Sequence, residues 1–178
     1  MRALIVYESM FGNTFAIATS IAEGLAPHMT VEVVEVSEAP TELGPDFQLI
    51  VVGGPTHAFG MSRPDTRRTA ADKTENELVS PGGGIREWLE AMSHVSPRTA
   101  AATFDTRVNR LRVPGSAARA AARRLRRLGF DIIARPQSFR VTEMTGPTVD
   151  GEMERAAEWG LMLGAEEAKR NVDRSSTT

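Results

Sequence analysis

The chain has 178 residues, of which 41% are hydrophobic and 25% are charged, and its formal net charge at pH 7 is −2. This length suits one domain with a substantial core, and the near-neutral charge gives no overall attraction to nucleic acid or anionic membranes. The sequence contains no cysteine, which excludes disulfides, thiolate catalysis and cysteine-based metal sites.

The first half of the chain begins with a buried strand and a helix. The continuous apolar run at residues 3–7 predicts a strand covered on both faces, and apolar residues at helical spacing from Thr14 predict a helix that ends near Pro27. Valine and glutamate are interspersed at 31–36, as expected for an edge strand with one solvent-exposed face. Residues 49–52 form another apolar run, which predicts a second buried strand.

The second half continues the alternation of strands and helices. Helices are predicted at 85–92, 116–128 and 153–164, and extended segments at 99–104 and 130–141. Pro136 interrupts the last extended segment. The connection at 37–46 is too short and too rich in proline for a full helix, so one crossover is abbreviated. The pattern predicts an α/β fold with a mostly parallel sheet and helices on both faces.

The domain organisation is simple. We expect one domain at residues 1–169, with no internal repeat. Residues 62–79 are polar and aperiodic, and we interpret them as a mobile insertion. Residues 170–178 are predicted to form a disordered tail.

The loop after the first strand has the sequence ESMFGNT and permits two interpretations. It includes Ser9, Met10, Phe11, Gly12, Asn13 and Thr14. Hydroxyl groups, a glycine turn and the N-terminus of the following helix together suit a phosphate. The same residues also suit a capped strand-to-helix turn that binds nothing. The three spaced glycines of a dinucleotide site and the lysine of a P-loop are missing. If the loop binds a phosphate, we therefore expect the phosphate of a mononucleotide.

Two further loops follow strands at the edge where parallel sheets bind ligands. The second loop contains Pro55, Thr56, His57, Ala58, Phe59 and Gly60, and its exposed aromatic residue predicts either a planar ligand or a folded-over insertion. His57 taken alone is more often an ordinary surface or hydrogen-bonded residue. The third loop includes Thr103, Phe104, Asp105, Thr106 and Arg107, which either fix a turn or present donors to the edge of a ligand.

The three loops together resemble those of flavodoxins and flavodoxin-like FMN proteins, over the chain from Ala3 to about Ala168. The resemblance implies a three-layer sandwich whose five-stranded parallel sheet has the order 2-1-3-4-5, with FMN at the switch point between strands 1 and 3. It also implies that Ser9, Asn13, Thr14 and the loop backbone hold the 5′-phosphate. Residues 55–60 would then cover one side of the isoalloxazine, and residues 103–107 would contact its pyrimidine edge.

The sequence departs from this family in its aromatic residues. Phe11 stands where many members carry a small hydroxyl residue, and the usual tryptophan and tyrosine that sandwich the flavin are absent. Tyr7 belongs to a predicted strand, while Trp88 and Trp159 lie within predicted helices, where we expect them to pack.

A second departure is in charge. Eight arginines and no acidic residue lie between Thr106 and Phe130, whereas typical flavodoxins are strongly acidic near the cofactor. Four of the arginines share one helix face: Arg119, Arg123, Arg126 and Arg127. This face either docks an acidic redox partner or is an ordinary solvated surface. Nucleic acid is a poor partner for it, because no aromatic residues are interleaved.

The resemblance therefore implies an FMN-binding electron carrier that passes electrons to or from a partner protein. Two alternatives are an FMN-dependent NAD(P)H:quinone reductase and a flavodoxin-like module that has lost FMN. No catalytic residue or metal ligand set is visible. The chain shows no signal peptide pattern and no apolar stretch of membrane-spanning length, so we expect a cytoplasmic protein that is a monomer or a weak homodimer.

Overall fold

The computed structural model describes residues 1–57, 59–72, 78–94, 99–109 and 114–176. The strands are β1 (Arg2–Tyr7), β2 (Thr30–Glu35), β3 (Phe47–Pro55), β4 (Ala100–Val108), β5 (Asp131–Ile132) and β6 (Gln137–Val141). The helices are α1 (Asn13–Leu25), α2 (Pro64–Ala71), α3 (Ile85–Ala91), α4 (Ala117–Arg127) and α5 (Glu152–Ser176). No helix in these ranges is long and apolar enough to cross a membrane.

The strands form one parallel sheet in the order β2-β1-β3-β4-β5, which confirms the predicted order 2-1-3-4-5. A sixth strand, β6, also pairs with β4 in parallel, with Phe104 opposite Gln137 and Val108 opposite Val141. β5 and β6 are thus two pieces of one edge strand, separated by residues 133–136. Pro136, which has no N–H to donate to a sheet, lies in this gap, directly before β6.

Helices cover both faces of the sheet, as predicted. Along β1, Ala3, Ile5 and Tyr7 face one core with α1 and α5, whereas Leu4 and Val6 face a second core with α3 and α4. This alternation follows from the two-residue period of a strand. No helix forms between β2 and β3, which confirms the abbreviated crossover.

Two segments that the sequence predicted to be a mobile insertion and a disordered tail contain helical residues. Residues 64–71, within the predicted mobile insertion, form α2, while residues 73–77 of that insertion lie outside the described residues. α5 continues to Ser176, beyond the expected start of a disordered tail at residue 170. The extension has a physical reason, because Arg170 and Arg174 both pair with the buried carboxylate of Glu167 on the same helix. Residues 177 and 178 are outside the described ranges.

Candidate functional site

A cavity of about 300 Å³ lies at the carboxyl ends of the central strands. Ten residues that the sequence assigned to the site line it: Ser9, Met10, Phe11, Asn13, Thr14, Pro55, Thr56, His57, Thr106 and Arg107. The sequence analysis missed six others: Thr66, Thr69, Ala70, Val108, Val141 and Met144. The structure thus brings the three predicted loops together, and adds one wall from α2 and another from the end of β6.

The loop between β1 and α1 has free backbone donors. Gly12 turns the chain at a φ of 86°, and its N–H donates to Ser9 Oγ at 3.1 Å. The N–H of Ser9 donates to Ser80 Oγ at 2.9 Å. In contrast, the backbone N–H groups of residues 10, 11, 13 and 14 have no acceptor within the described residues. They stand at the N-terminus of α1, where the helix dipole adds positive potential, so this edge of the cavity suits an anion.

Two polar side chains of this loop are bonded to other parts of the fold. The Thr14 and Thr106 hydroxyls lie 2.8 Å apart, and either one can donate to the other. Asn13 Nδ2 donates to the backbone oxygen of Thr145 at 3.1 Å, which ties α1 to the loop after β6. This bond uses one donor of the Asn13 amide that the resemblance assigned to a phosphate.

Three residues of the predicted third loop do not border the cavity: Thr103, Phe104 and Asp105. Phe104 is buried in the core, with its ring edge-on to Trp159 at 6.5 Å between centroids. Asp105 Oδ2 accepts from Ser116 Oγ at 2.6 Å and from the N–H of Ala118 at 3.0 Å, so this carboxylate caps α4. β4 continues to Val108, which keeps residues 103–105 within the sheet and leaves only later residues at its open end.

The second loop forms a tight turn at the cavity rim. His57 and Gly60 exchange two backbone hydrogen bonds of 2.9 and 2.8 Å. Phe59 projects outward from the turn with a φ of 78° and 70% of its surface exposed, and it does not line the cavity; Ala58 lies outside the described residues. Burial, together with the nearby positive charge of Arg67, lowers the pKa of the His57 imidazole. This imidazole therefore borders the cavity as a neutral group at pH 7.

The chain's one tyrosine and two tryptophans all lie away from the cavity. The Tyr7 ring packs on Phe15 with 5.0 Å between centroids. Trp88 is buried and donates from Nε1 to the backbone oxygen of Pro40 at 3.2 Å, and Trp159 is buried beside Phe104. Both tryptophans therefore pack as predicted, and no tyrosine or tryptophan is placed to stack on a ligand.

The predicted arginine face is present on α4. Arg119, Arg123, Arg126 and Arg127 are exposed, while the alanines and Leu125 on the opposite side of the helix are buried. Within the described part of the chain, none of these four arginines makes an ion pair. Across the same residues, no group of three or more histidine or acidic side chains is placed to hold a metal ion.

A parallel sheet of order 2-1-3-4-5 with helices on both faces defines an α/β protein with a flavodoxin-like fold. The Flavodoxin family model matches residues 5–160, so the chain belongs to the flavodoxin family. Membership implies a flavin cofactor and, at the level of the family, a role in carrying electrons.

Solved structures agree with this fold. A flavodoxin from the domain Archaea matches with a TM-score of 0.64 and 18% identity, covering 94% of this chain and 99% of that one. Oxidised flavodoxin 1 from Bacillus cereus matches with a TM-score of 0.63 and 19% identity, covering 95% and 98%. The flavodiiron core of Flv1 from Synechocystis sp. PCC6803 has a TM-score of 0.58 and 17% identity, covering 96% of this chain and 36% of that one. No curated protein matches the sequence.

Proposed function

We propose that the protein binds FMN in this cavity and exchanges electrons through it with a partner protein. The observation that carries the proposal is the set of backbone N–H groups at residues 10, 11, 13 and 14 that have no acceptor among the described residues, beside a cavity with apolar lining residues. A phosphate needs the first feature and an isoalloxazine ring needs the second. The volume of about 300 Å³ is at the small end of ligand pockets, which favours a mononucleotide over a dinucleotide.

The residues present fit both parts of FMN. The N–H groups at the start of α1 would hold the phosphate, and the Thr14–Thr106 pair retains a hydroxyl that can bond it. Pro55, Val108 and Val141 would pack on the ring system, with the neutral His57 imidazole among them. No carboxylate lines the cavity within the described residues, so the chain places no fixed negative charge beside the phosphate or the ring.

Bound flavin supplies the electron transfer, which is the chemistry of the cofactor and not of a side chain. The chain's own contribution is to bind the phosphate, to exclude water from the apolar side of the cavity and to leave one edge accessible. The arginine face (Arg119, Arg123, Arg126 and Arg127) begins near the N-terminus of α4. That end of the helix adjoins the site, since Thr56 Oγ1 accepts from the N–H of Ala117 at 2.9 Å. An acidic redox partner suits this face.

Titration of the apo-protein with FMN, FAD and riboflavin, followed by flavin fluorescence, tests the proposal. We expect FMN to bind most tightly, because riboflavin lacks the phosphate and FAD exceeds the cavity. Equal affinities for FMN and riboflavin would contradict the phosphate role of residues 10–14. Absence of binding by every flavin would overturn the proposed function. Turnover of NAD(P)H with a quinone, and without a partner protein, would instead indicate a quinone reductase.

A further inference from the structure

A buried polar cluster lies behind the cavity, and the sequence analysis did not identify it. Its centre is Glu8, which follows β1 and is 1% exposed. Glu8 Oε2 accepts from the backbone N–H of Ile85 at 2.9 Å, whereas Oε1 is buried with no hydrogen-bond partner among the described residues. A buried carboxylate is costly unless neighbouring groups compensate it, so the surrounding residues matter.

Arg67 on α2 supplies the positive charge of the cluster. Its Nη1 donates to Ser62 Oγ at 2.9 Å and to Glu87 Oε2 at 3.1 Å, and only 11% of its side chain is exposed. Glu87 also accepts from the backbone N–H of Gly84 at 2.9 Å. The cluster therefore joins three stretches of chain: the end of β1, the segment containing α2, and the start of α3.

The close approach of these groups depends on Gly84. A Cβ atom on this residue would lie 2.6 Å from Arg67 Nη1, 2.6 Å from Ser62 Oγ and 2.8 Å from Glu8 Oε2. Real Cβ atoms do not approach other atoms so closely, so only glycine leaves room for the side chains to converge. The cluster is therefore packed tightly, and a side chain at residue 84 would push it apart.

The other side of α2 forms a wall of the cavity. Thr66, Thr69 and Ala70 line it, while Arg67 reaches into the cluster. Ala70 is the only buried residue of α2, so the helix has no apolar face that could hold it against the protein. Arg67 attaches this wall to the cluster from within α2, while Arg86 on α3 donates to the backbone oxygens of Met61 and Ser62 just before the helix. Arg67 also lies near enough to His57 for its charge to affect that imidazole.

We propose that Arg67 is a positioning residue: its contacts with Ser62 and Glu87, beside Glu8, hold α2 in place as the wall that packs on the flavin ring system. The inference rests on the proposed FMN site. It adds that α2 contacts the ring system of the ligand and not its phosphate. The N–H groups proposed to hold the phosphate belong to the loop of residues 9–14 and not to α2. Loss of the Arg67 contacts therefore weakens binding of the ring system whether or not a phosphate is attached.

The test compares Arg67→Met with Arg68→Met. Arg68 is the adjacent residue, its side chain is 77% exposed and its one ion pair among the described residues is with Asp65 on the same helix, so it is a matched control. We expect Arg67→Met to raise the dissociation constants of riboflavin and FMN by the same factor, about tenfold or more, as residues that hold contact residues in place do at other sites. Arg68→Met should leave both constants unchanged. Arg67→Lys should restore part of the affinity, because lysine keeps the charge but not the planar guanidinium.

A second measurement does not require a ligand. In apo-protein, the pKa of His57, followed by NMR of its imidazole, should rise in Arg67→Met and stay unchanged in Arg68→Met. If Arg67→Met does not fold, Arg67→Lys provides the affinity comparison with a smaller expected change, and the pKa of His57 should then stay near its wild-type value because the charge is kept.

The outcomes separate this inference from the proposed function. Wild-type protein that binds both flavins, with affinities that Arg67→Met leaves unchanged, would overturn this inference alone. A loss confined to FMN would also overturn it, since it would assign Arg67 to the phosphate. If wild-type protein binds no flavin, the proposed function fails, and this inference fails with it.

Discussion

The hydroxyls of Thr14 and Thr106 lie 2.8 Å apart, although the two residues are 92 positions apart in the chain. Both are buried, with 2% and 5% of their surfaces exposed. The pair joins the N-terminus of α1 to the end of β4 across the cavity. Because each hydroxyl can both donate and accept, the pair can bond to each other and still offer a hydrogen bond to an anion.

Thr14→Val should weaken FMN binding and leave riboflavin binding nearly unchanged. A hydrogen bond to a charged phosphate contributes about 1.5–3 kcal/mol, which corresponds to roughly 10- to 150-fold in affinity. The free energy of unfolding should fall less, by about 0.5–1.5 kcal/mol, since the bond to Thr106 is between neutral groups. Fluorescence titrations with both flavins measure the difference. Thr19→Val is the control, because that hydroxyl lies on the same helix and only donates to Phe15 O. Equal weakening of riboflavin would argue against the phosphate contact.

Asp105→Asn should destabilise the fold and change flavin affinity little. The carboxylate accepts from Ser116 Oγ and from the N–H of Ala118, at the positive end of α4, so its charge stabilises the helix start. We expect a loss of about 1–3 kcal/mol in the free energy of unfolding, measured by urea denaturation. A large fall in FMN affinity at unchanged stability would show that the carboxylate contacts the ligand after all.

The stability difference between wild type and Glu8→Gln should depend on pH. Burial, together with the nearby negative charge of Glu87, raises the pKa of the Glu8 carboxyl above its ordinary value of 4.5, although Ser62, Ile85 and Arg67 oppose the shift. A raised pKa in the folded state means that this group's favourable contribution is fully present below pH 4.5 and is lost as the pH rises through the folded pKa. The wild type should therefore lose stability relative to Glu8→Gln over that interval. Denaturation across a pH series measures this, and a flat or opposite trend would contradict the raised pKa.

Reversal of charge on the arginine face should slow electron exchange with an acidic partner. The double variant Arg123→Glu/Arg127→Glu replaces attraction by repulsion, and the effect should shrink as salt rises, because screening acts beyond about 8 Å at physiological ionic strength. FMN affinity should not change, since the buried face of α4 is untouched. Stopped-flow reduction by a partner reductase gives the rate. Arg135→Glu/Lys169→Glu makes the same change in net charge at other exposed positions. Equal rates for the two double variants would mean that the partner docks elsewhere.

Much of the fold is predictable from the sequence because buried parallel strands and amphipathic helices have different apolar periods. The runs at residues 3–7 and 49–52 locate β1 and β3, and the alanine and leucine stripe of α4 identifies its buried face. α2 was missed for the same physical reason. Its residues have no apolar period, and its attachment depends on Arg67, whose partners are distant in the sequence.

Part of the candidate site is likewise predictable from local sequence, and the rest depends on tertiary contacts. The loop at residues 9–14 is local, so its glycine turn and hydroxyl residues reveal an anion-binding geometry before any tertiary contact is known. The contacts of Thr106 and Asp105 are not local. Thr106 contacts α1 and Asp105 contacts α4. The direction of each side chain depends on where β4 ends and on which face of the sheet each helix covers.

The sequence by itself determined the alternation of strands and helices and the loop that suits a phosphate. It also determined the lack of a tyrosine or tryptophan in the flavin loops and the arginine face of α4. Each of these features depends on residues close together in the chain. Only the tertiary structure decided which loop residues border the cavity, that Asp105 caps a helix, and that Glu8 and Arg67 share a buried cluster behind it. Those features depend on contacts between segments far apart in the sequence, where the direction of each side chain is set by sheet register and helix packing and not by local pattern.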